Sequence, residues 1–339
     1  MKFPSDTGRL AEYLRAHGHD VDGTLTVSAF TGGQSNPTYR LDVGSRRYVL
    51  RRKPDGVLLP SAHAIEREYR VMRALAGAGV PVPRVHLLCE DASVVGTPFY
   101  LMDFVEGRVF WDPSLPGVDP RERAALYDEL NRVIAALHQV DVAAVGLSDF
   151  GRPGRYLERQ IERWTRQYRA SETERIDAME RLIDWLPAHV PAADETSLVH
   201  GDYRMDNIIF HPTEPRILGV LDWELSTLGH PLADFAYHCM TWRVTPDEFR
   251  GIKGHDLDAL GIPQEASYVD AYRRRTGRES LPDWDYYLAF NMFRMSAILQ
   301  GILARSRQGN ATSDQAEATG RLARPMAEAG WRQITALAL

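Results

Sequence analysis

The sequence has few of the features that several large protein classes require. Its 339 residues include only two cysteines, Cys89 and Cys239, and no CxxC pair, which argues against a disulfide framework or a cysteine zinc site. No run of 18 apolar residues is present, so we predict no membrane span. The first residues lack the apolar core of a secretory signal, and we therefore expect a cytoplasmic location.

Several motifs of nucleotide and ester chemistry are also missing. The chain has no G-x-x-x-x-G-K-[ST] sequence and no G-x-S-x-G sequence, which excludes a P-loop and the usual hydrolase elbow. Only three of the 40 basic residues are lysines, namely Lys2, Lys53 and Lys253. A mechanism that needs a lysine therefore has few candidates. The net charge of -6 argues against a general nucleic-acid binder.

The N-terminal third of the chain is predicted to be rich in short strands. Alternating apolar residues and turn signals predict five strands, at 25–30, 39–43, 47–53, 85–88 and 99–105. Helical spacing over 61–76 predicts one helix between the third and fourth strands. These elements favour a five-stranded antiparallel sheet with one helix.

The rest of the chain has mainly helical spacing. The apolar pattern beyond Gly107 predicts helices at 121–140, 156–168, 176–186 and 285–307. At about 150 residues per domain, the length corresponds to roughly two domains. We predict an α+β protein with a β-rich N-terminal lobe, 1–104, and a larger, mainly helical C-terminal lobe, 105–339.

The segment 198–224 carries the most informative motif. It contains an H-x-D-x-x-x-x-N loop, formed by His200, Asp202 and Asn207, and a hairpin that ends in Asp222. This order and spacing are typical of the protein-kinase catalytic loop and metal-binding hairpin. Asp202 is the candidate base that faces an acceptor hydroxyl. Asn207 and Asp222 supply the oxygen ligands that Mg²⁺ prefers.

With these residues the chain resembles the aminoglycoside phosphotransferase and choline kinase branch of the kinase-like fold. HGD-x4-N takes the place of HRD-x4-N, and D-W-E takes the place of D-F-G. The resemblance extends over 25–310. It is strongest to a subfamily with YVLRRKP, HxIEREY, HGDYRxDN and GVLDWE, which includes kinase-like domains fused to acyl-CoA dehydrogenase family proteins. It implies a two-lobed protein-kinase-like fold that uses ATP and Mg²⁺. In that fold 1–104 would be the nucleotide-binding lobe, and 105–339 the lobe for catalysis and substrate binding.

The resemblance also implies where ATP binds. The turn GGQSN at 32–36 lies where a kinase covers the phosphates, and we expect Gly33, Ser35 and Asn36 to contact phosphate oxygens.

The remaining nucleotide contacts are expected from the third strand, the helix and the fifth strand. Arg51 aligns with the usual phosphate-binding lysine, but Lys53 lies on the same strand face. We favour Arg51 and leave the assignment open. Glu68 matches the helix carboxylate that pairs with this cation. Backbone groups from Asp103 to Val105 are expected at the adenine.

Other polar residues near the motif have structural explanations. We expect His200 to make hydrogen bonds within the loop, Arg204 to support the site and Asp234 to support the catalytic loop. Asp206 is interpreted as either a loop-ordering or a solvent-facing carboxylate. A transition-metal cluster that includes His211 is disfavoured, because the kinase interpretation already assigns most of these side chains.

Two further clusters lie in the C-terminal half. The aromatic-rich stretch 284–293 is interpreted as core packing, with a wall of the acceptor pocket as the alternative. The run 273–275 is interpreted as a solvated helix face, with an anion-binding patch as the alternative. His230 and His238 are expected to be hydrogen-bonded structural residues.

The expected activity is transfer of the ATP γ-phosphate to a hydroxyl of a small molecule. The segments 146–195 and 241–339 contain ten and twelve acidic residues against eight and thirteen basic ones. A polycationic antibiotic would select a more acidic pocket, so we favour a hydroxylated metabolite or hydroxyacyl acceptor. The alternatives are an aminoglycoside O-phosphotransferase and an inactive kinase-like nucleotide-binding module. A protein kinase is disfavoured, because no A-P-E segment follows Asp222. No nucleic-acid or membrane partner is expected, and the oligomeric state is left open.

Overall fold

The fold is known from a computed structural model. It describes residues 3, 7–19, 21, 24–30, 36–56, 64–309 and 315–335. The elements of the N-terminal lobe are α1 (Gly8–Ala16), β1 (Leu25–Ala29), β2 (Thr38–Val43), β3 (Arg46–Arg52), α2 (Ile65–Leu75), β4 (Val85–Cys89), α3 (Ala92–Val95) and β5 (Phe99–Asp103).

The five strands form one antiparallel sheet in the order β1-β2-β3-β5-β4. The predicted five-stranded sheet and the helix after its third strand are therefore confirmed. Successive residues of a strand point to opposite faces, so Val49 and Arg51 of β3 face α2 and the second lobe, whereas Leu50 faces away. This alternation directs the Arg51 side chain toward the space between the lobes.

The expectation of a single helix in this lobe was incomplete. α1 and α3 cover the other face of the sheet, where Leu10 and Leu14 pack into a core with Leu50 and Leu101. Leu10 and Leu14 are spaced by four residues, which is the helical period. That signal was present in the sequence, in a segment for which we made no prediction. The sheet therefore has helices on both faces.

The connection between the lobes is tied to the C-terminal lobe by a short bridge. The N–H of Arg108 donates to the carbonyl of Phe210 at 2.8 Å, and the reverse bond also measures 2.8 Å. A Cβ at Gly107 would lie 2.2 Å from the same Phe210 carbonyl oxygen, so only glycine fits there. β5 ends at Asp103, beside the lobe boundary at 104/105, which stays a prediction.

The C-terminal lobe is mainly helical. Its helices are α4 (Pro120–His138), α5 (Tyr156–Ala170), α6 (Asp177–Ala188), α7 (Pro231–Cys239), α8 (Pro246–Phe249), α9 (Leu257–Leu260), α10 (Glu265–Arg275), α11 (Trp284–Arg307), α12 (Ala316–Gly320) and α13 (Ala323–Thr335). α11 is buried on most of its circumference, which is typical of a central core helix. It packs against α5, α7 and α13.

Two small antiparallel pairs position the motif residues. β6 (Ser197–Val199) pairs with β9 (Thr227–Gly229), and β7 (Ile208–Phe210) pairs with β8 (Ile217–Val220). The loop 200–207 connects β6 to β7. The N–H of Leu221 donates to the carbonyl of Asn207 at 2.8 Å, so the end of the loop lies beside the end of the hairpin. In the part of the chain that the structure describes, no helix is long and apolar enough to cross a membrane.

Candidate active site

A buried cation connects the two lobes. Arg51 is almost fully buried, and its Nε atom lies 2.9 Å from Oε2 of Glu68 on α2. Its Nη2 donates to Oδ1 of Asp222 at 3.0 Å. Glu68 also accepts hydrogen bonds from the Asn36 amide at 2.8 Å and from the Tyr100 hydroxyl at 3.1 Å. One guanidinium therefore contacts a carboxylate from each lobe.

Burial and charge act against each other in this cluster. Burial raises the pKa of Glu68 to about 7, although the nearby Arg51 guanidinium acts in the opposite direction. Burial disfavours the charged form of Arg51, but the carboxylates of Glu68 and Asp222 raise its pKa above the ordinary value. Arg51 is therefore a permanent cation beside a carboxyl group that accepts a proton unusually easily.

Lys53, the second candidate cation, has a different partner. Its Nζ contacts Oε1 of Glu66, and both side chains are partly exposed. Glu66 and Glu68 point in different directions from α2, so each cation has its own acid. The contact of Arg51 with Asp222 supports Arg51 as the phosphate ligand, and that role stays a prediction.

The phosphate turn and the adenine contacts are described only in part. Gly33 and Ser35 lie outside the described residues. Asn36 is buried with its amide on Glu68, and its contact with phosphate stays a prediction. The N–H of Asp103 donates to the Arg84 carbonyl at 2.9 Å, so that donor is engaged within the protein. Val105, half-buried just beyond β5, is the better candidate for adenine.

Asp202 is held through both of its carboxylate oxygens. Oδ2 accepts from the Asn207 amide at 2.9 Å. Oδ1 contacts the hydroxyl of Tyr237 and lies 3.3 Å from Nε of Arg204. Nε of Arg204 also lies 3.3 Å from Oδ1 of Asp206. The Asp206 side chain is only 7% exposed, which fits its interpretation as a loop-ordering carboxylate and contradicts the solvent-facing alternative. The predicted base and its supporting arginine are thus neighbours.

The carboxylate of Asp234 holds the backbone of the loop that carries Asp202. This carboxylate accepts from the N–H groups of His200 and Gly201, both at 2.8 Å, and lies 3.1 Å from Nε2 of His138. Burial acts to raise the pKa of Asp234, but the hydrogen bond and charge of His138 hold the pKa below its usual value. The electrostatic interaction with His200 and the hydrogen bond from its backbone N–H act in the same direction as His138.

His200 connects the loop to the β7–β8 hairpin. Its Nε2 lies 2.8 Å from the Leu221 carbonyl, and its Nδ1 accepts from the N–H of Asp202 at 3.1 Å. Gly201 between them has φ +82°, and a Cβ there would lie 2.8 Å from the Leu225 carbonyl oxygen. The backbone at this point therefore requires glycine.

Asn207 and Asp222 form an oxygen donor set that suits Mg²⁺. The Asn207 amide nitrogen donates to the backbone carbonyl and carboxylate of Asp202, which turns its Oδ1 away from Asp202. Asp222 has a left-handed backbone, φ 63° and ψ 62°, two residues beyond the end of β8. In the described ranges no group of three or more His, Cys, Asp or Glu residues forms a metal site. Mg²⁺ commonly uses one or two protein oxygens together with phosphates and waters, so the residues present fit this ion.

A cavity adjoins the loop 200–207 in the C-terminal lobe. Tyr237 and Arg204, both in contact with Asp202, contribute to its wall. The other lining residues are Trp111, Pro113, Tyr127, Met205, Asp206, His238, Met240, Thr241, Phe249 and Arg250. Sequence reasoning missed Trp111 and Tyr237, because no short motif links them to the HGD loop.

The remaining sequence interpretations can be compared with this geometry. Of the stretch 284–293, residues 286–293 are buried in the core and confirm core packing there, whereas 284 and 285 are half-buried. None of the ten residues lines the cavity. The arginines at 273–275 pair with Asp270 and Asp128. His230 bonds the N–H of Leu232 as a helix cap, and His238 bonds the Tyr268 hydroxyl. His211 bonds backbone N–H groups of its own turn.

Comparison with known proteins identifies the family. The model of the phosphotransferase enzyme family APH matches residues 26–289, and the chain belongs to this family. A crystal structure of a candidate aminoglycoside phosphotransferase from Ralstonia eutropha JMP134 is 58% identical, covers 99% of both chains and superposes with a TM-score of 0.90. The fold is thus the kinase-like fold of this family.

Two further comparisons, at lower identity, show how much of the chain is shared with other proteins. Acyl-CoA dehydrogenase family member 10 of Mus musculus is 50% identical over 98% of this chain, which corresponds to 31% of the mouse protein. The chain thus spans about a third of that relative's length. A thermostable mutant of aminoglycoside phosphotransferase APH(4)-Ia, in ternary complex with ADP and hygromycin B, has a TM-score of 0.63 and 17% identity and covers 97% of this chain and 99% of its own. This similarity concerns the fold alone.

Proposed function

We propose that the protein is an ATP- and Mg²⁺-dependent phosphotransferase that acts on a hydroxyl of a small molecule. The observation that carries this proposal is the convergence of two groups of residues at one place. From the N-terminal lobe, Arg51, paired with Glu68, reaches Asp222, while Asn207 and Asp202 lie beside the hairpin that ends in Asp222. The family relationship and the ADP in the APH(4)-Ia complex support a nucleotide in this cleft.

Each residue has one task in the proposed reaction. Asp202 accepts a hydrogen bond from the acceptor hydroxyl, orients it and takes its proton late, because the transition state is loose and needs little base strength. Arg51, supported by Glu68, stabilises negative charge on the phosphates. Asn207 and Asp222 would hold Mg²⁺, which supplies charge neutralisation at the phosphates when bound. The bond from the γ-phosphorus to ADP breaks as the bond to the acceptor oxygen forms.

The cavity beside Asp202 is the proposed acceptor site. Aromatic and aliphatic residues form most of its wall. The charged residues of its wall are Arg204, Arg250 and Asp206, so carboxylates are not in surplus even when the neighbouring Asp202, which contacts Arg204, is counted. A polycation gains little in a site without surplus carboxylates. We therefore propose a hydroxylated metabolite or hydroxyacyl compound as acceptor, in keeping with the relative that bears an acyl-CoA dehydrogenase name.

A phosphoryl-transfer screen tests the proposal. Purified protein is incubated with ATP and Mg²⁺ and two acceptor panels, aminoglycosides and hydroxyacyl or amino-alcohol metabolites, with Asp202→Ala as control. We expect turnover with a member of the second panel, none with antibiotics, and loss of turnover in the variant with ADP binding retained. Turnover of antibiotics alone would contradict the acceptor class. Full activity of Asp202→Ala would contradict the assigned base.

A further inference from the structure

Tyr237, on α7, stands between the cavity and the proposed base. Its hydroxyl donates to Oδ1 of Asp202, and the same residue lines the cavity wall. The residue is 4% exposed. Its hydroxyl is therefore a buried donor that meets the Asp202 carboxylate from the side on which we place the acceptor.

The Asp202 carboxylate needs a donor on each side to have a fixed plane. The terminal torsion of an aspartate side chain is broad and roughly two-fold, so one hydrogen bond does not define it. Asn207 holds Oδ2 at 2.9 Å. Oδ1 accepts a hydrogen bond from the Tyr237 hydroxyl, whereas Nε of Arg204 lies 3.3 Å away without hydrogen-bond geometry. The Tyr237 hydroxyl therefore sets the position of the oxygen that faces the acceptor.

The Tyr237 ring is itself held in place by the central helix. The guanidinium of Arg294 on α11 lies 5.0 Å from the centroid of the ring, within the range of a cation–π contact. The same guanidinium donates to the carbonyl of Gly201, directly before Asp202. Arg294 is buried. One arginine of the core thus fixes both the loop backbone and the ring whose hydroxyl bonds the loop side chain.

We infer that Tyr237 is a positioning residue for phosphoryl transfer, whose hydroxyl aligns the Asp202 carboxylate with the acceptor hydroxyl. The inference rests on the proposed function. It assigns a role to a side chain outside the HGD loop and the metal hairpin. The role lies in the reaction step and not in nucleotide binding, because the contacts of Tyr237 are with Asp202, Arg294 and the cavity.

Tyr237→Phe is the decisive variant, because it keeps the ring and removes the hydroxyl. The control is Tyr286→Phe, since Tyr286 is 3% exposed and its hydroxyl donates to a carbonyl remote from Asp202, that of Leu186. Turnover is measured with saturating ATP and Mg²⁺, using the fastest acceptor from the screen, or water where hydrolysis is fastest. We expect kcat to fall about 10- to 100-fold in Tyr237→Phe, with KM for ATP within about twofold, and no change in Tyr286→Phe.

A double-mutant comparison separates positioning from a general structural effect. If Tyr237 acts through Asp202, Tyr237→Phe should reduce residual turnover no further in an Asp202→Ala background. An equal loss in both backgrounds would overturn the inference, as would wild-type kcat in Tyr237→Phe. If the wild type is active and Asp202→Ala is inactive, the proposed function is supported, whatever the result for Tyr237→Phe. A wild type that turns over no ATP would overturn both.

Discussion

Two buried carboxylates support the candidate site, Glu68 in the N-terminal lobe and Asp234 in the C-terminal lobe, and their partners differ in kind. Asp234 accepts from two backbone N–H groups and from His138. Glu68 is contacted by three side chains, those of Arg51, Asn36 and Tyr100. The pKa of Asp234 is lowered, whereas burial raises the pKa of Glu68 to about 7.

The difference shows how the two halves of the site are built. Backbone donors cannot move without moving the loop, so Asp234 fixes the position of His200 and Gly201 in advance. The side chains around Glu68 can change rotamer, and Arg51 already divides its contacts between Glu68 and Asp222. The loop of the C-terminal lobe is thus held through its backbone, whereas the cluster around Glu68 is held by side chains alone.

The largest effect is expected for Asp234→Asn. Asparagine has one acceptor oxygen where aspartate has two, so an NH₂ group would face a backbone N–H of the loop. Loss of this buried network should lower the free energy of unfolding by about 3–5 kcal/mol, measured by urea denaturation. Asp184→Asn, at an exposed position of α6, should stay within about 0.5 kcal/mol. Equal values for the two variants would contradict the supporting role of Asp234.

The next largest effect is expected for Arg51→Gln. Removal of the only cation that contacts Asp222 among the ion pairs of the described residues should lower kcat/KM for ATP about 100-fold. Steady-state kinetics with varied ATP give this ratio, and circular dichroism verifies that the variant is folded. A value near that of the wild type would show that Arg51 does not contact the phosphates.

A pH-dependent effect is expected for Glu68→Gln. The raised pKa means that folded protein binds a proton on Glu68 between pH 4.5 and about 7, where the unfolded chain has released it. This group therefore makes the wild type lose stability as pH rises through that window. The free energy of unfolding of the wild type, minus that of Glu68→Gln, should fall by on the order of 1–3 kcal/mol from pH 4.5 to pH 7. Thermal unfolding at several pH values measures it, with Glu66→Gln on the same helix as control; a flat difference would contradict the shift.

The smallest effect is expected for Lys53→Gln. Its partner Glu66 is 36% exposed, and partly exposed ion pairs contribute only about 0.2–1 kcal/mol. We expect kcat/KM for ATP within about threefold of the wild type and a nearly unchanged unfolding transition. If instead this variant loses ATP turnover and Arg51→Gln does not, Lys53 is the phosphate ligand and the comparison of the two lobes has to be revised.

The sequence was sufficient for the five-stranded sheet, for several long helices and for the residues that belong to a motif, but α1 and α3 of the N-terminal lobe were missed. The sheet, the helix α2 and the long helix α11 have clear apolar periods, and Asp202, Asn207 and Asp222 have a spacing set by their chemistry. Tyr237 and Arg294 could not be found this way, because they approach the loop from helices far along the chain. Trp111 belongs to no motif in the sequence, because its position at the cavity depends on how the connection between the lobes packs.

The left-handed backbone of Asp222 limits which amino acids can occupy that position during evolution. Most side chains lose about 1–2 kcal/mol in this conformation, and only Gly, Asn and Asp adopt it readily. Glutamate would keep the negative charge but strain the backbone, whereas asparagine or glycine would keep an unstrained backbone and lose the charge. No single substitution at position 222 preserves both the charge and the unstrained backbone. For the role we propose, every substitution there is therefore expected to carry a cost.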